Sequence, residues 1–381
     1  MKLITIFFTA LLCILTSANA QSQQVIRVLE FCPAPGQFTN TLPDIDATMS
    51  KAERLQACEQ QLQDGNLISL GAAGGYITLA LDQPIKNGKG SDLRILGNAM
   101  YAINDPVYGY ATIGGSIEPG IVYAGVGSSP ETAKWYELAG SEYYTTQRHN
   151  FSITYHKPTA EMGEHNIPYS SFDQYIRFYA KWNEPDGTER DTTGYLMKNT
   201  FHAQTYWPMW EDKDEITFYG GRLPNNAINY GGDGSDADNP QNWISYRYAV
   251  DSYGYVDAAL NSDKVYTTFD LDWAVDNDGN PVKLSHADFI RIQTGVLQHC
   301  GWTGETSTEV LSMENLHLIP GYDDNPIVIT PRQRPTSING ITDRPRHEIM
   351  RLSIDGRRLA KPEKGINIVK YSDGTTRKTI N

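Results

Sequence analysis

Short runs of alternating apolar and polar residues, each closed by a Gly, Asn, Asp or Pro turn, direct this chain into sheets. Tyr76-Ile77-Thr78-Leu79-Ala80-Leu81 follows Gly74-Gly75 and ends at Asp82-Gln83-Pro84-Ile85. A period of two puts successive side chains on opposite faces of a pleated strand, so such a run buries one face and wets the other. Asp92-Leu93-Arg94-Ile95-Leu96, after the Asn87-Gly88-Lys89-Gly90 turn, has the same texture, as do Val265 to Asp270 and Phe289 to Thr294. With 23 Tyr and 7 Trp and few helix-favouring stretches, an all-β fold is expected. No repeat of about 20 to 50 residues recurs, which argues against a propeller or solenoid. Late runs should pair with early ones, giving a non-local, Greek-key topology.

One helix stands out, from Met49 to Leu62. Ser50 with Glu53 three residues on has capping-box spacing, and Met49, Ala52, Leu55, Cys58 and Leu62 fall on one face. Between the early and late strands, Gln147 to about Tyr255 is rich in Tyr, Trp, Asn, Pro and Asp and reads as a long, loop-rich insertion. Residues 321–336 contain Asp323, Asp324, Asn325 and several prolines and read as a linker.

Met1-Lys2, an apolar run from Leu3 to Leu15 and Ala18-Asn19-Ala20 form the pattern of a removable signal peptide over residues 1–20. Leu12 before Cys13 is not the small residue a lipoprotein signal wants. No other run approaches the roughly 20 apolar residues of a membrane span, so a soluble, exported protein is expected. From Pro331 onward twelve Lys and Arg face five Asp and Glu, a net of +7; since the whole chain is −13, residues 1–330 carry −20. Such a body repels nucleic-acid phosphates and suits divalent cations and neutral ligands such as sugars. Of the three cysteines after the signal, Cys32 and Cys58 are the nearer pair for a disulfide in an oxidising compartment, with Cys300 left over.

Calcium takes six to eight oxygen ligands, and closely spaced carboxylates on a turn supply them. Asp270, Asp272, Asp276 and Asp278 are the candidate ligands, although Asp276-Asn277-Asp278-Gly279-Asn280-Pro281 also reads as an ordinary Asx turn. The acidic loop Gly231 to Asn239 has the same two readings, cation site or solvated loop. The aromatic concentration Trp182, Tyr206, Trp207, Trp210 and Trp243, with Tyr179 and Tyr195 nearby, is the ligand-binding candidate, since sugars and planar cofactors bind on aromatic faces. Tyr and Trp are equally ordinary core residues of a sandwich. For catalysis only the acids Glu118, Glu137, Glu142, Glu305 and Glu309 offer a pair for glycoside hydrolysis. No local pattern selects a Ser-His-Asp triad, a zinc helix or a phosphate loop.

Two resemblances extend this reading. The tail from Ser337 to Asn381, with its Asp355-Gly356-Arg357-Arg358 turn, its Lys364-Gly365-Ile366-Asn367-Ile368-Val369 strand and the closing Asp373-Gly374-Thr375-Thr376-Arg377-Lys378, resembles the C-terminal sorting domain of the type IX secretion system of Bacteroidota. It is shorter than the longer family members. This implies export to the outer membrane exterior by that machinery. The body, about residues 26 to 320, resembles Bacteroidota secreted cell-surface proteins built as calcium-associated jelly-roll sandwiches. The resemblance rests on the Gly-rich approach to Tyr76, the Gly97-Asn98-Ala99 strand end, Glu118 to Val122, Trp135 to Tyr143 and Cys300 to Glu309. It implies a body over residues 21–320, surface location and, from the family's setting, corrinoid uptake. The expected function is therefore non-catalytic capture of a nutrient, corrinoid or glycan, possible calcium included. A glycan-degrading hydrolase using a Glu pair and a structural or adhesive surface protein are the alternatives.

Overall fold

The structure, a computed structural model, describes residues 24–104, 113–159, 165–166, 172–199, 202, 204–229, 243–300, 304–332, 348–353, 357–359, 361–371 and 376–380. Residues 1–20, expected to be a signal peptide, the Gly231–Asn239 loop and Gly301-Trp302-Thr303 lie outside them. Among the described residues those in strands far outnumber those in helices, and the strands pair into several antiparallel sheets, so the fold is all-β. No helix among the described residues is long and apolar enough to cross a membrane.

Alternation becomes architecture in the main sheet, where the strands lie in the order Ile26–Cys32, Tyr76–Leu81, Phe289–Thr294, Gly120–Val126, Lys134–Leu138 and Ala274–Val275. Tyr255–Val256 also pairs with Gly120–Val126. All these pairings are antiparallel, and the late strand does join the early ones. Register puts Ile77 opposite Phe31 and Ile292, Leu79 opposite Val28 and Ile290, and Val122 and Ala124 opposite Ile292 and Ile290. This inner face is buried, and each such Ile or Leu contributes about 1.5–3 kcal/mol. Packed in the same core are Leu93, Ile95, Phe269 and Met313 from a three-stranded sheet, Thr268–Phe269, Leu93–Leu96 and Ser312–Asn315, which makes the body sandwich-like.

Opposite the core, the outer face carries a polar row. Glu30 Oε2 accepts from Thr78 Oγ1 (2.6 Å) and Arg291 Nη2 (2.7 Å), and the Arg291 guanidinium lies over the rings of Tyr76 and Trp135 at 4.4 and 4.1 Å.

The insertion departs from the loop-rich expectation. Arg148–His156, Phe172–Asn183, Glu189–Asn199, Glu215–Arg222 and His165–Asn166 form a five-stranded antiparallel sheet. Ile176, Phe178, Ala180 and Trp182 point inward, while Arg177, Tyr179 and Lys181 are exposed. The period of two was present but filled by aromatics on both faces. This sheet builds a second core of Phe151, Ile153, Tyr155 and Phe218 against Ala72 and Ala73, and covers part of the main sheet's outer face: Gln293 Nε2 donates to Gly74 O (2.8 Å) and Tyr219 O (3.0 Å).

Helix Lys51–Gln63 packs on the first strand, with the capping box formed as expected. Cys58 and Leu62 are buried and Leu55 half-buried, but Ala52, expected on that face, is exposed on the first turn. The linker expectation also changes, because residues 321–332 are tied to the body. Ser91 N donates to Ile327 O (2.8 Å), Tyr322 Oη to Ser91 O (2.7 Å), and Arg332 to Ser141 O (3.2 Å) and Asp251 Oδ1 (3.0 Å). The tail forms a separate three-stranded antiparallel sheet, Glu348–Ser353, Ile366–Tyr371 and Thr376–Ile380, with Val369 and Leu359 buried.

Candidate functional site

The four aspartates expected to hold calcium do not converge. Asp270 caps the turn Leu271–Trp273 by accepting from Asp272 N (2.8 Å), and burial, reinforced by Asp92 and Asp272, pushes its carboxyl up to about 7. Asp272 accepts from Asn87 Nδ2 (2.9 Å). Asp276 is committed to its turn: Oδ1 accepts from Asp278 N (3.0 Å) and Asn280 N (2.8 Å), and Oδ2 from Asn280 Nδ2 (3.3 Å). Asp276 to Asn280 is therefore the Asx turn. Among the described residues, the set of three or more acidic, His or Cys groups with ligand atoms within 4.8 Å of one another lies elsewhere, at Glu118, Asp257 and Glu309.

Those three acids join distant segments. Glu118 Oε1 accepts from Ser307 N (3.2 Å) and Oε2 from Ser116 Oγ (2.9 Å). Asp257, whose φ of +58° turns its backbone under Gly97, accepts from Asn98 N (2.5 Å) and Glu309 N (3.0 Å). The Glu309 carboxyl stands beside those of Glu118 and Asp257, with one oxygen of each within 4.8 Å of the others, so each disfavours ionisation of its neighbours. Burial pushes Glu118 to about 7; burial and then the charge of Glu118 push Asp257 to about 8; burial and both neighbours hold Glu309 well above the carboxylate range. Glu305, raised to about 8 by burial, accepts from Gln37 N (2.5 Å) and has a buried Oε2 with no hydrogen-bond partner among the described residues. The three carboxyls stand close together where distant segments meet, and they line neither of the clefts described below. Of the other acids, Glu137 accepts from Gln147 Nε2 (2.6 Å) and is pushed to about 8 by burial, and buried Glu142 accepts from Thr146 Oγ1.

The aromatic candidates separate by burial. Trp182, Tyr206 and Trp207 are buried in the second core, correcting their ligand-binding assignment. Trp182 donates to Glu184 Oε1 (2.8 Å) under Arg222, and Trp207 Nε1 donates to Glu211 O (3.2 Å). Trp243 begins the strand Trp243–Tyr246, and its side chain lies outside the described set. Of the four whose side chains are described, Trp210 alone is half-buried in a cleft, of about 380 Å³. The cleft lies where the outer face of the main sheet (Glu30, Tyr76) meets the first helical turn (Lys51, Arg54) and the segment from Pro208 to Phe218. Phe31 lies 6.1 Å from Trp210 at a tilt, and the Arg54 guanidinium stands 5.2 Å over the indole. Neither this cleft nor a second of about 430 Å³ on the five-stranded sheet is lined by any of the raised acids. Lys51 and Arg54 escaped sequence reasoning because a charged first turn looks like any solvated helix face.

The expected Cys32–Cys58 disulfide is not formed; both are thiols. Cys32 lines the cleft and hydrogen-bonds Tyr76, whereas Cys58 faces the core from the helix, and burial raises both thiols. Compared with known proteins, the chain matches no family model and no curated sequence.

Proposed function

We propose that this is an exported surface protein that captures a glycan unit, without catalysis, in the cleft at Trp210. The observation that carries the reading is the cleft's lining, in which Trp210, Phe31 and Tyr76 supply ring surface beside Arg54, Lys51 and Glu30. Ring surface with a few oriented polar groups is how compact polar ligands are held. A volume of about 380 Å³ sits at the low end for ligand sites, which favours one or two sugar rings over a corrin macrocycle. Glu118, Asp257 and Glu309 cluster away from the cleft, and no acid of raised pKa lines it, which favours binding over hydrolysis. Export rests on the apolar N-terminal run and the basic tail that resembles a type IX sorting domain.

The test is a thermal-shift screen of the chain from residue 21 against neutral and acidic mono- and disaccharides, with Trp210→Ala alongside. A ligand present at 100 times its Kd adds about 2.7 kcal/mol, a readable shift. Loss of the shift in Trp210→Ala is expected. A screen in which no sugar moves the melt, or a Trp210→Ala protein that responds like the wild type, rejects the reading.

A further inference from the structure

The body carries −20, yet the cleft does not share that sign. Its charged lining is Lys51, Arg54, Lys213, Glu30 and Glu211. Glu30 is bound by Arg291 and Thr78 on the outer face of the main sheet. Glu211 accepts from Lys213 N (3.1 Å) and lies 3.8 Å from its Nζ. Two cations are left over. Lys51 and Arg54 form no ion pair among the described residues, and Glu53 beside them is committed to the capping box, accepting from Ser50 N (2.7 Å). Lys51 also feels Glu131, an exposed acid outside the lining.

Arg54 is the better placed of the two. Its guanidinium is held over Trp210, and Nη1 donates to Met49 O (2.6 Å), which orients the group and leaves most of its five donors uncommitted. A planar, pre-oriented fork matches a carboxylate with two parallel hydrogen bonds, a pairing a lone ammonium does not reproduce. Both cations stand in the first helical turn, where the aligned peptide dipoles add positive potential.

Resting on the glycan reading above, we infer that the cleft selects a sugar bearing a carboxylate, a uronic or sialic acid unit, with Arg54 as its reader and Lys51 as a second, longer-range attraction. The neutral body of the sugar lies along Trp210, and the acid turns toward the helix. An overall acidic surface repels most anions, so this local reversal confines recognition of the acid to one place.

Calorimetric titration of the chain from residue 21 with galacturonic acid, N-acetylneuraminic acid, galactose and galactose 6-sulfate tests this. Acidic sugars should bind at least about tenfold more tightly than galactose. Arg54→Gln should reduce acid binding by roughly 10- to 100-fold and galactose binding far less, as loss of a charge-assisted pair implies. Lys51→Gln, at an exposed position outside the packing, should weaken acid binding less and reduce its salt dependence. Equal binding of neutral and acidic sugars, or a preference that survives Arg54→Gln in a protein with unchanged circular dichroism, overturns the inference and leaves the glycan reading standing. Sulfated galactose binding as tightly as the carboxylates overturns the carboxylate assignment. Binding of no sugar at all rejects both.

Discussion

Raising the pH from 5 to 8 should destabilise this protein, and Glu309→Gln should remove part of that loss. The carboxyls of half-buried Glu118 and of buried Asp257 and Glu309 are clustered and shifted upward, Glu118 from 4.5 to about 7 and Asp257 from 3.8 to about 8. A carboxyl whose folded value lies above its unfolded one contributes fully below the unfolded value. That contribution falls as pH rises and levels off above the folded value. One extra proton held by the native state lowers stability by about 1.4 kcal/mol per pH unit, or about 3 kcal/mol between pH 5 and 7. Glutamine at 309 keeps a donor and an acceptor between Glu118 and Asp257 while removing one titrating group, so its slope should be shallower by up to one proton. His317, raised by Asp323 and Asp92 against the effect of burial, adds to the background slope, and His149, lowered by burial, opposes it; both cancel in the difference between the two proteins. Urea denaturation at four pH values from 5 to 8 measures both slopes. A wild-type stability that is flat or rising over this window, or an identical slope in the variant, refutes the reasoning.

Replacing His317 by Gln breaks its bonds to Asp92 (2.8 Å) and Asp323 (2.5 Å) and should speed limited proteolysis near Asn325 at pH 6, with a difference that shrinks as rising pH takes the proton from the imidazole. Gly71→Ala should cost at least about 2 kcal/mol and depress the melting temperature, since φ is +68° and the added Cβ would sit 2.0 Å from Ala34 O. Leu79→Ala, in the centre of the main sheet, should cost about 2–5 kcal/mol by denaturant titration, without altering sugar selectivity. Deleting residues 337–381 should abolish surface display in a type IX secreting host, as read by whole-cell protease accessibility; unchanged display would remove the sorting role.

What could be read in advance followed from whether an element has one wet face. Tyr76–Leu81 alternates because its outer face carries the Glu30-Thr78-Arg291 row, and its period was visible. Gly120–Val126 is buried on nearly every position, since the five-stranded sheet covers it through Gly221 N to Tyr123 Oη (3.1 Å), so no period shows. The same covering hid the insertion's strands: Trp182 inside and Tyr179 outside are alike to a pattern of types. Glu118 and Glu309 stood out as acids, but Asp257, 139 residues beyond the first, joins them only through strand pairing. Trp210 was legible as an aromatic; that it faces a cleft while Tyr206 and Trp207 do not depends on how Pro208 to Glu211 crosses the sheet.

The strand Phe289–Thr294 sits between Tyr76–Leu81 on one side and Gly120–Val126 on the other. Everything on its first side comes from the beginning of the chain, and within this sheet, among the described residues, the two sides are joined through it. A nascent chain emerging from a ribosome or a translocation channel therefore holds two unjoined ribbons until nearly three hundred residues have appeared. Their exposed edges and half-built core are the features that holdase chaperones bind, and loop closure over such separations is slow. For a protein expected to cross membranes, that lateness keeps the chain threadable until this central strand is released.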